Sequence, residues 1–445
     1  MFIVLYLVDQ VHDLAEQLYL TLVVMFMNIL YCWFLRRILK ITLCEILWFM
    51  LFFFVIIWYW TIDHNHVEKV HTEHPIILWW TNGFPGTFNT KNCPDQCTIY
   101  DNRNISNTHK VNAYLFYGSN IKFDDLPLPR KPKDTIWGLL HEESPRNLEE
   151  LMHEPVLKLF NFSSTFSRYS DVPYPLQNLE SFNDITSRKH FIETKRKNSF
   201  LKDIAPILYL QSDCETSTER DLYVKELMKY IEIDSYGPCL NNKVLPTKFQ
   251  QDYLNNLNED EFLNFVARYK FLIAIENGVC NDYVTEKFWR AIKVGSIPIY
   301  FGSPSISYWL PNPKSAILLK DFPTPELLSD YIKRLLQHDD LYEEYLEHKI
   351  NHIIRNERLI EEFKSRPYQF NFIDTVEKFQ CFICKKVHER IKGSQDINVV
   401  NSKHYDCPKP ISALQLTVNP NNGWVTSWEY KRKKSKEIHD KIINE

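Results

Sequence analysis

The chain has 445 residues, 44% hydrophobic and 24% charged, with 52 basic against 56 acidic side chains and a net charge of −4. That length can hold two ordinary globular domains, and the balance gives no reason to expect nucleic acid as the main partner. Its 10 glycines, about 2% against a usual ~7%, exclude a collagen-like chain, a Gly-rich linker protein and a P-loop enzyme. Neither G-x-G-x-x-G nor G-x-x-x-x-G-K-[ST] occurs, and aromatics at 14% argue against disorder.

Two apolar stretches come first. Leu18 to Leu35 is 18 residues without a formal charge, and Ile46 to Ile62 is 17. Each lies near the short end of what a membrane span needs. Between them is the basic cluster Arg36-Arg37-Ile38-Leu39-Lys40. The positive-inside preference keeps that cluster cytoplasmic and sends the chain after Ile62 into a lumen. The prediction is a cytoplasmic region 1–40, a signal-anchor transmembrane helix over 41–62 and a polar stem over 63–74. The first stretch is open between a second span and an upstream extension, since Met25 and Met27 could each start a shorter chain. A buried core helix is the rival reading of both stretches.

Eight of the ten cysteines follow residue 62. An even number in an oxidising lumen suggests disulfides, with 105 possible connectivities. A zinc site from Cys93, Cys97, Cys381 and Cys384 is the rival. The sequons at Asn104 and Asn161 fit the same compartment as candidate glycosylation sites.

Short apolar runs at Ile76–Trp80, Ala113–Gly118 and Ile136–Leu140 read as buried strands, the last followed by His141-Glu142-Glu143-Ser144-Pro145. Residues 181–203 are polar and read as a loop or linker. Pro206–Leu210 is a strand, and Thr216 with Glu219 forms a capping box for a helix buried through Val224, Leu227, Met228 and Ile231. A strand closed by Asp234–Gly237, a helix over Asp260–Tyr269 and the central strand Phe271–Ile275 follow. A helix over Asp282–Val294, strands at Ile297–Phe301 and Ala316–Leu319 and a helix over Pro325–Leu336 complete the alternation. Such alternation predicts an α/β fold of two parallel, Rossmann-like domains facing a cleft. Their spans are 75–204 and 205–375. A Cys-containing extension, 376–445, packs back, and its basic end after Trp428 reads as a solvated surface helix.

Ligands of open α/β sheets lie beyond the carboxyl ends of the strands. There Glu276-Asn277 ends the central strand, and the next helix carries Tyr283, Glu286, Lys287 and Arg290 in its opening turns. A helix N-terminus seats an anion, Lys287 would strengthen a diphosphate's binding, and Glu286, an acceptor, suits a ribose diol. A surface helix with a Glu286–Arg290 pair is the plainer alternative. Arg220 supplies a second cation. No D-x-D pair exists to hold a divalent metal.

The stretch Phe271 to Gly302, with Glu-Asn, Asp-Tyr-x-Thr-Glu-Lys and Pro-x-x-x-Gly at their intervals, resembles the signature of the α-1,3-fucosyltransferases, glycosyltransferase family ten. The segments Leu140–Pro145, Leu159–Arg168 and Cys381–Cys384 resemble most the branch called fucosyltransferases ten and eleven, associated with O-fucosylation of Ser/Thr in folded EMI-type domains in the endoplasmic reticulum. The resemblance implies a GT-B architecture without metal or cofactor, with GDP-β-L-fucose as donor and Glu143 as general base. It places Arg220 and Lys287 at the diphosphate, Glu286 at the ribose, and Asn277 and Tyr283 at the nucleotide-sugar, with Arg168 matching a family arginine. It also implies that Cys93 and Cys97 bond to Cys381 and Cys384. The older family label, α-1,3 transfer to N-acetylglucosamine of glycans, is the alternative acceptor, and a non-catalytic lumenal nucleotide-sugar-binding scaffold is the alternative class. Phe166-Ser167 stands where glycan-modifying members have Tyr-Arg. For an inverting transfer, partial burial of Glu143 would raise its pKa to suit a base, with Glu142 as the other choice.

Overall fold

The computed structural model describes residues 74–81, 93–250 and 257–444. The contacts divide the chain between His71 and Thr72, and every described residue belongs to the second unit. Both apolar stretches of the N-terminus, and with them the transmembrane expectation, lie outside the described residues. Among the described residues no helix is long and apolar enough to cross a membrane.

Two parallel sheets form the frame. The first contains β1 (Ile76–Trp79), β2 (Thr98–Tyr100), β3 (Val111–Tyr117), β4 (Ile136–His141) and β5 (Phe162–Thr165), in the order β2-β1-β3-β4-β5. The second contains β6 (Ile207–Leu210), β7 (Ile233–Tyr236), β8 (Phe271–Ile275), β9 (Ile297–Phe301) and β10 (Ile317–Leu318), in the order β10-β9-β8-β6-β7. Counted within its own sheet each has the doubly wound order 2-1-3-4-5, which reverses between first and third strands. The central strands are apolar throughout because helices cover both faces: all five residues of β8 are buried.

The helix Glu286–Val294 shows how sequence becomes packing. Phe288, Trp289, Ala291, Ile292 and Val294 are buried, and a fully buried Phe or Ile side chain contributes about 1.5–3 kcal/mol. Thr285 caps the start by accepting from the Lys287 N–H. Gly295 ends it at φ +66°, where its N–H returns to Ala291 and Ile292 carbonyls.

Several elements depart from expectation. Residues 181–203 are not a linker: they hold helices Asn183–Thr186 and Thr194–Phe200. The fully buried Lys197 donates to the Tyr269 and Gly295 carbonyls and to Ser296 Oγ, at 2.7–2.9 Å, acceptors that no local pattern announces. The capping box does not form. Glu219 has φ +53°, its carboxylate accepts from Asn419 Nδ2, and the helix opens only at Arg220. The helix expected from Asp282 starts at Glu286, because Asp282 lies at φ +66°. Strand β5 reads as polar, Phe-Ser-Ser-Thr, yet is wholly buried, since its hydroxyls bond Val172 O, His404 O and His404 Nδ1.

The extension packs back on the first sheet. Val376, Phe379, Ile383 and Val387 of helix Phe372–Ile391 join the core of β1, β3 and β4. Cys93–Cys381 and Cys97–Cys384 tie it there, and Cys214–Cys239 and Cys280–Cys407 complete the disulfides among the described residues. Cys97 and Cys384 also lie near His388, but sulfurs joined in disulfides offer no thiolate, which overturns the zinc reading. The basic end is not a purely solvated helix: Gly423–Asn444 buries Val425, Ser435 and Ile442, and Lys431 pairs with Glu150 at 2.9 Å. The sequon at Asn161 is also corrected. Asn161 is buried, accepts from Trp137 N and Arg130 Nη2, and donates to Asn398 O, so no glycan fits there. Asn104 is exposed.

Candidate functional site

Strand β8 delivers Glu276 and Asn277 to its carboxyl end. Glu276 is fully buried, and its two oxygens accept from Thr285 N at 2.8 Å and Thr285 Oγ1 at 2.7 Å. Burial pushes its carboxyl up to about 7, with Lys287 opposing. Lys287 folds back over the helix start: its Nζ reaches Glu286 Oε1 at 2.8 Å, Thr285 Oγ1 at 3.2 Å and Glu276 Oε2 at 3.8 Å. Burial raises the Glu286 carboxyl as well, but the charges of Lys287 and Arg290 outweigh it and hold it at about 2. The helix start therefore presents a cation and an ionised, acceptor-only carboxylate side by side. The Arg290 attraction expected of a plain surface helix is present, yet the helix itself is a buried one.

The two sheets meet strand end to strand end. Ser144, just beyond β4, donates to Asn277 Oδ1 at 2.9 Å, and Tyr283 OH donates to the same oxygen at 3.2 Å. Ser217 Oγ holds the Asn277 carbonyl at 2.8 Å. Glu143 directly precedes Ser144, so it stands on the strand end that meets Asn277, and its charge acts on the Tyr283 and Tyr405 hydroxyls. Glu143 is exposed, contrary to the burial expected of it; the carboxyl that burial governs is Glu142, pushed up to about 7.

Arg220 is 1% exposed and reaches the end of β8 from within the protein. Its Nη1 donates to Ile275 O at 3.4 Å and its Nη2 to Asp213 O, while its buried Nε has no hydrogen-bond partner. Arg168 is committed to Asp282, through Nη2 to Oδ1 at 2.8 Å and N to Oδ2 at 3.0 Å, and stacks 3.7 Å over the Tyr308 ring. Asp282 in turn accepts from Ser305 Oγ and Trp309 Nε1. Arg168 thus joins the first sheet to the loop before the cation-bearing helix.

Three groups escaped the sequence reading as site residues. Asp282 lies inside the Asp-Tyr-x-Thr-Glu-Lys run, which was a usable signal. Glu276 was visible only as the residue after an apolar strand. Tyr405 gave no signal: it comes from the extension, shares a hydrogen bond with His141 Nδ1 at 2.9 Å and packs on Phe166, which packs on Tyr283. His141, pushed down to about 3 by burial, stays neutral and reaches Ser119 Oγ at 3.1 Å. Ser119, with Trp80, Thr81, Phe116 and Leu126, lines a cavity of about 430 Å³ where the order of the first sheet reverses.

The chain matches the family model for the C-terminal part of glycosyltransferase family 10 (fucosyltransferase) over residues 201–403, and that for the fucosyltransferase N-terminal part over 72–177. It belongs to glycosyltransferase family 10. The GDP-fucose protein O-fucosyltransferase 3 of Gallus gallus is 41% identical over 389 residues, 83% of this chain and 81% of that protein. The Homo sapiens protein of the same name is 40% identical over 385 residues, 82% and 79%. A crystal structure of an α1,3-fucosyltransferase with GDP-fucose is 17% identical and covers 69% of this chain and 94% of its own, with a TM-score of 0.40. In this family 10 enzyme Glu276–Asn277 and Asp282–Lys287 fall within the stretch matched by the C-terminal family model, and Glu143–Pro145 within that matched by the N-terminal one.

Proposed function

We propose that the enzyme transfers L-fucose from GDP-β-L-fucose, with inversion, to a Ser or Thr hydroxyl of a folded, cysteine-rich protein domain of EMI type. The observation that carries this reading is the Ser144–Asn277 hydrogen bond, which sets the Glu143 strand end against the helix start bearing Glu286 and Lys287.

The diphosphate would lie on the N-terminus of helix Glu286–Val294 against Lys287, with the ribose diol donating to Glu286. Asn277 and Tyr283 would border the sugar. Glu143 removes the acceptor hydroxyl's proton while that oxygen attacks C1 from the face opposite GDP. The new C1–O bond forms in α linkage, and the old one breaks with its electron pair going to GDP. Charge growing on the diphosphate is met by Lys287 and, from below, by the positive potential of Arg220. In this reading protein cations do the neutralising, and no metal or cofactor takes part.

The four disulfides support a further part of the proposal, that residues 63–445 work in the oxidising lumen of the endoplasmic reticulum or Golgi. The 41–62 stretch would be the signal-anchor of a single-pass type II membrane protein. The test is an acceptor screen by mass spectrometry with GDP-fucose, comparing folded cysteine-rich domains with N-glycans bearing free N-acetylglucosamine. Fucose on Ser or Thr of a folded domain is expected. Fucose on the glycans alone would overturn the acceptor, and a failure to bind GDP-fucose, as in a scaffold of another class, would overturn the donor.

A further inference from the structure

Glu142 and Glu143 are neighbours with different surroundings. Side chains leaving a strand alternate in direction. His141 turns toward Ser119 and Tyr405, and Glu142 turns instead toward Tyr117 and Tyr174. Tyr117 OH donates to Glu142 Oε1 at 2.7 Å, Tyr174 OH approaches Oε2 at 3.4 Å, and Gln177 Nε2 donates to the Glu142 carbonyl at 3.0 Å. One carboxylate therefore gathers the end of β3, the exit of β4 and the segment after β5. A side chain held at both oxygens is not placed to swing out and take a proton from an acceptor, while Glu143 is exposed beside it.

We infer that Glu142 is a positioning residue for the base: through Tyr117, Tyr174 and Gln177 it fixes the exit of β4 so that Glu143 is held beside the Ser144–Asn277 junction, and it adds a negative charge behind it. This rests on the fucosyl-transfer reading above. The groups facing the Glu142 carboxylate are Tyr117 from β3, Tyr174 after β5, Tyr405 from the extension, and Glu143 on its own segment. Burial raises all three phenols, so they stay uncharged near neutral pH. Burial likewise places the Glu142 carboxyl at about 7. A negative charge there favours uptake of a proton by the neighbouring carboxylate, which is the task of the base.

The experiment is steady-state transfer kinetics of the wild type, E142Q, E142D, Y117F and E143Q across neutral pH, with melting temperatures alongside. For E142Q, kcat should fall about tenfold, roughly 1.4 kcal/mol, with KM for GDP-fucose unchanged. The rise of wild-type kcat with pH centred near 7 should be missing from E142Q and retained in E142D, which keeps the charge should E142Q fold poorly. Y117F should lower kcat by a smaller factor, and E143Q should abolish transfer. A lowered melting temperature in E142Q with wild-type kcat and pH profile would overturn the inference, as would transfer surviving in E143Q but not in E142Q. A wild type that consumes no GDP-fucose would instead remove the reading beneath it.

Discussion

Two carboxyls at one helix start are driven in opposite directions. Glu286 is held at about 2 because the adjacent Lys287 and Arg290 charges outweigh its burial, whereas the deeper Glu276 is raised to about 7 because burial outweighs Lys287. The linkage sign for Glu276 follows from that rise. A carboxyl that holds its proton more tightly when folded contributes stability that is fully present below about pH 4.5 and lost as pH rises through about 7. The amount is about 3 kcal/mol at ~1.36 kcal/mol per unit. Glu276→Gln should therefore flatten the fall in melting temperature between pH 5 and pH 7.5, measured by calorimetry. An unchanged slope would mean that this carboxyl is not the source. Asn161 gives a second check at this scale. Glycan mapping of the protein made in a secretory pathway should find Asn104 occupied and Asn161 bare, since its amide holds Trp137 N and Arg130. The sequon motif could not reveal this, because what buries Asn161 is Asn398 and Arg130, remote in sequence.

Among elements, periodicity located β1, β3, β4, β6, β8 and β9 and the apolar stripe of helix Glu286–Val294, because their burial is written locally in apolar runs. It missed β5, whose Ser and Thr hydroxyls are satisfied by residues such as His404 far along the chain. It also missed Thr194–Phe200, where the buried Lys197 takes its partners from Tyr269, Gly295 and Ser296. Glu286 and Lys287 were legible from spacing after a central strand. The clamp of Arg168 on Asp282 was not, because it pairs opposite halves of the unit. Gly295 tests how tightly the cation-bearing helix is set. At φ +66°, a Cβ would stand 2.4 Å from Phe191 Cδ2. Gly295→Ala should lose about 1–2 kcal/mol from the left-handed backbone alone, with a further loss from that clash. Denaturant unfolding measures it, and a neutral result would show that the helix end shifts freely.

Across the whole unit, two sheets of the same strand order bring their carboxyl ends together, joined by the Ser144–Asn277 bond and the Arg168–Asp282 pair. Disulfides from Cys93 and Cys97, between β1 and β2, hold the extension against the first sheet, and Cys280–Cys407 brings Tyr405 close to Tyr283 and Phe166. The Cys93/Cys97 to Cys381/Cys384 linkage was legible only through family likeness, and the other two disulfides were not legible from spacing at all. The central claim is that a nucleotide diphosphate sits on this helix start under Lys287. Calorimetric titration of GDP into the wild type, Lys287→Ala and Glu143→Gln tests it most directly. The expected result is binding by the wild type and by Glu143→Gln with similar affinity, and a loss of about tenfold or more in Lys287→Ala, the scale of a charged hydrogen bond. Equal GDP affinity in wild type and Lys287→Ala, or no binding by the wild type, would contradict it.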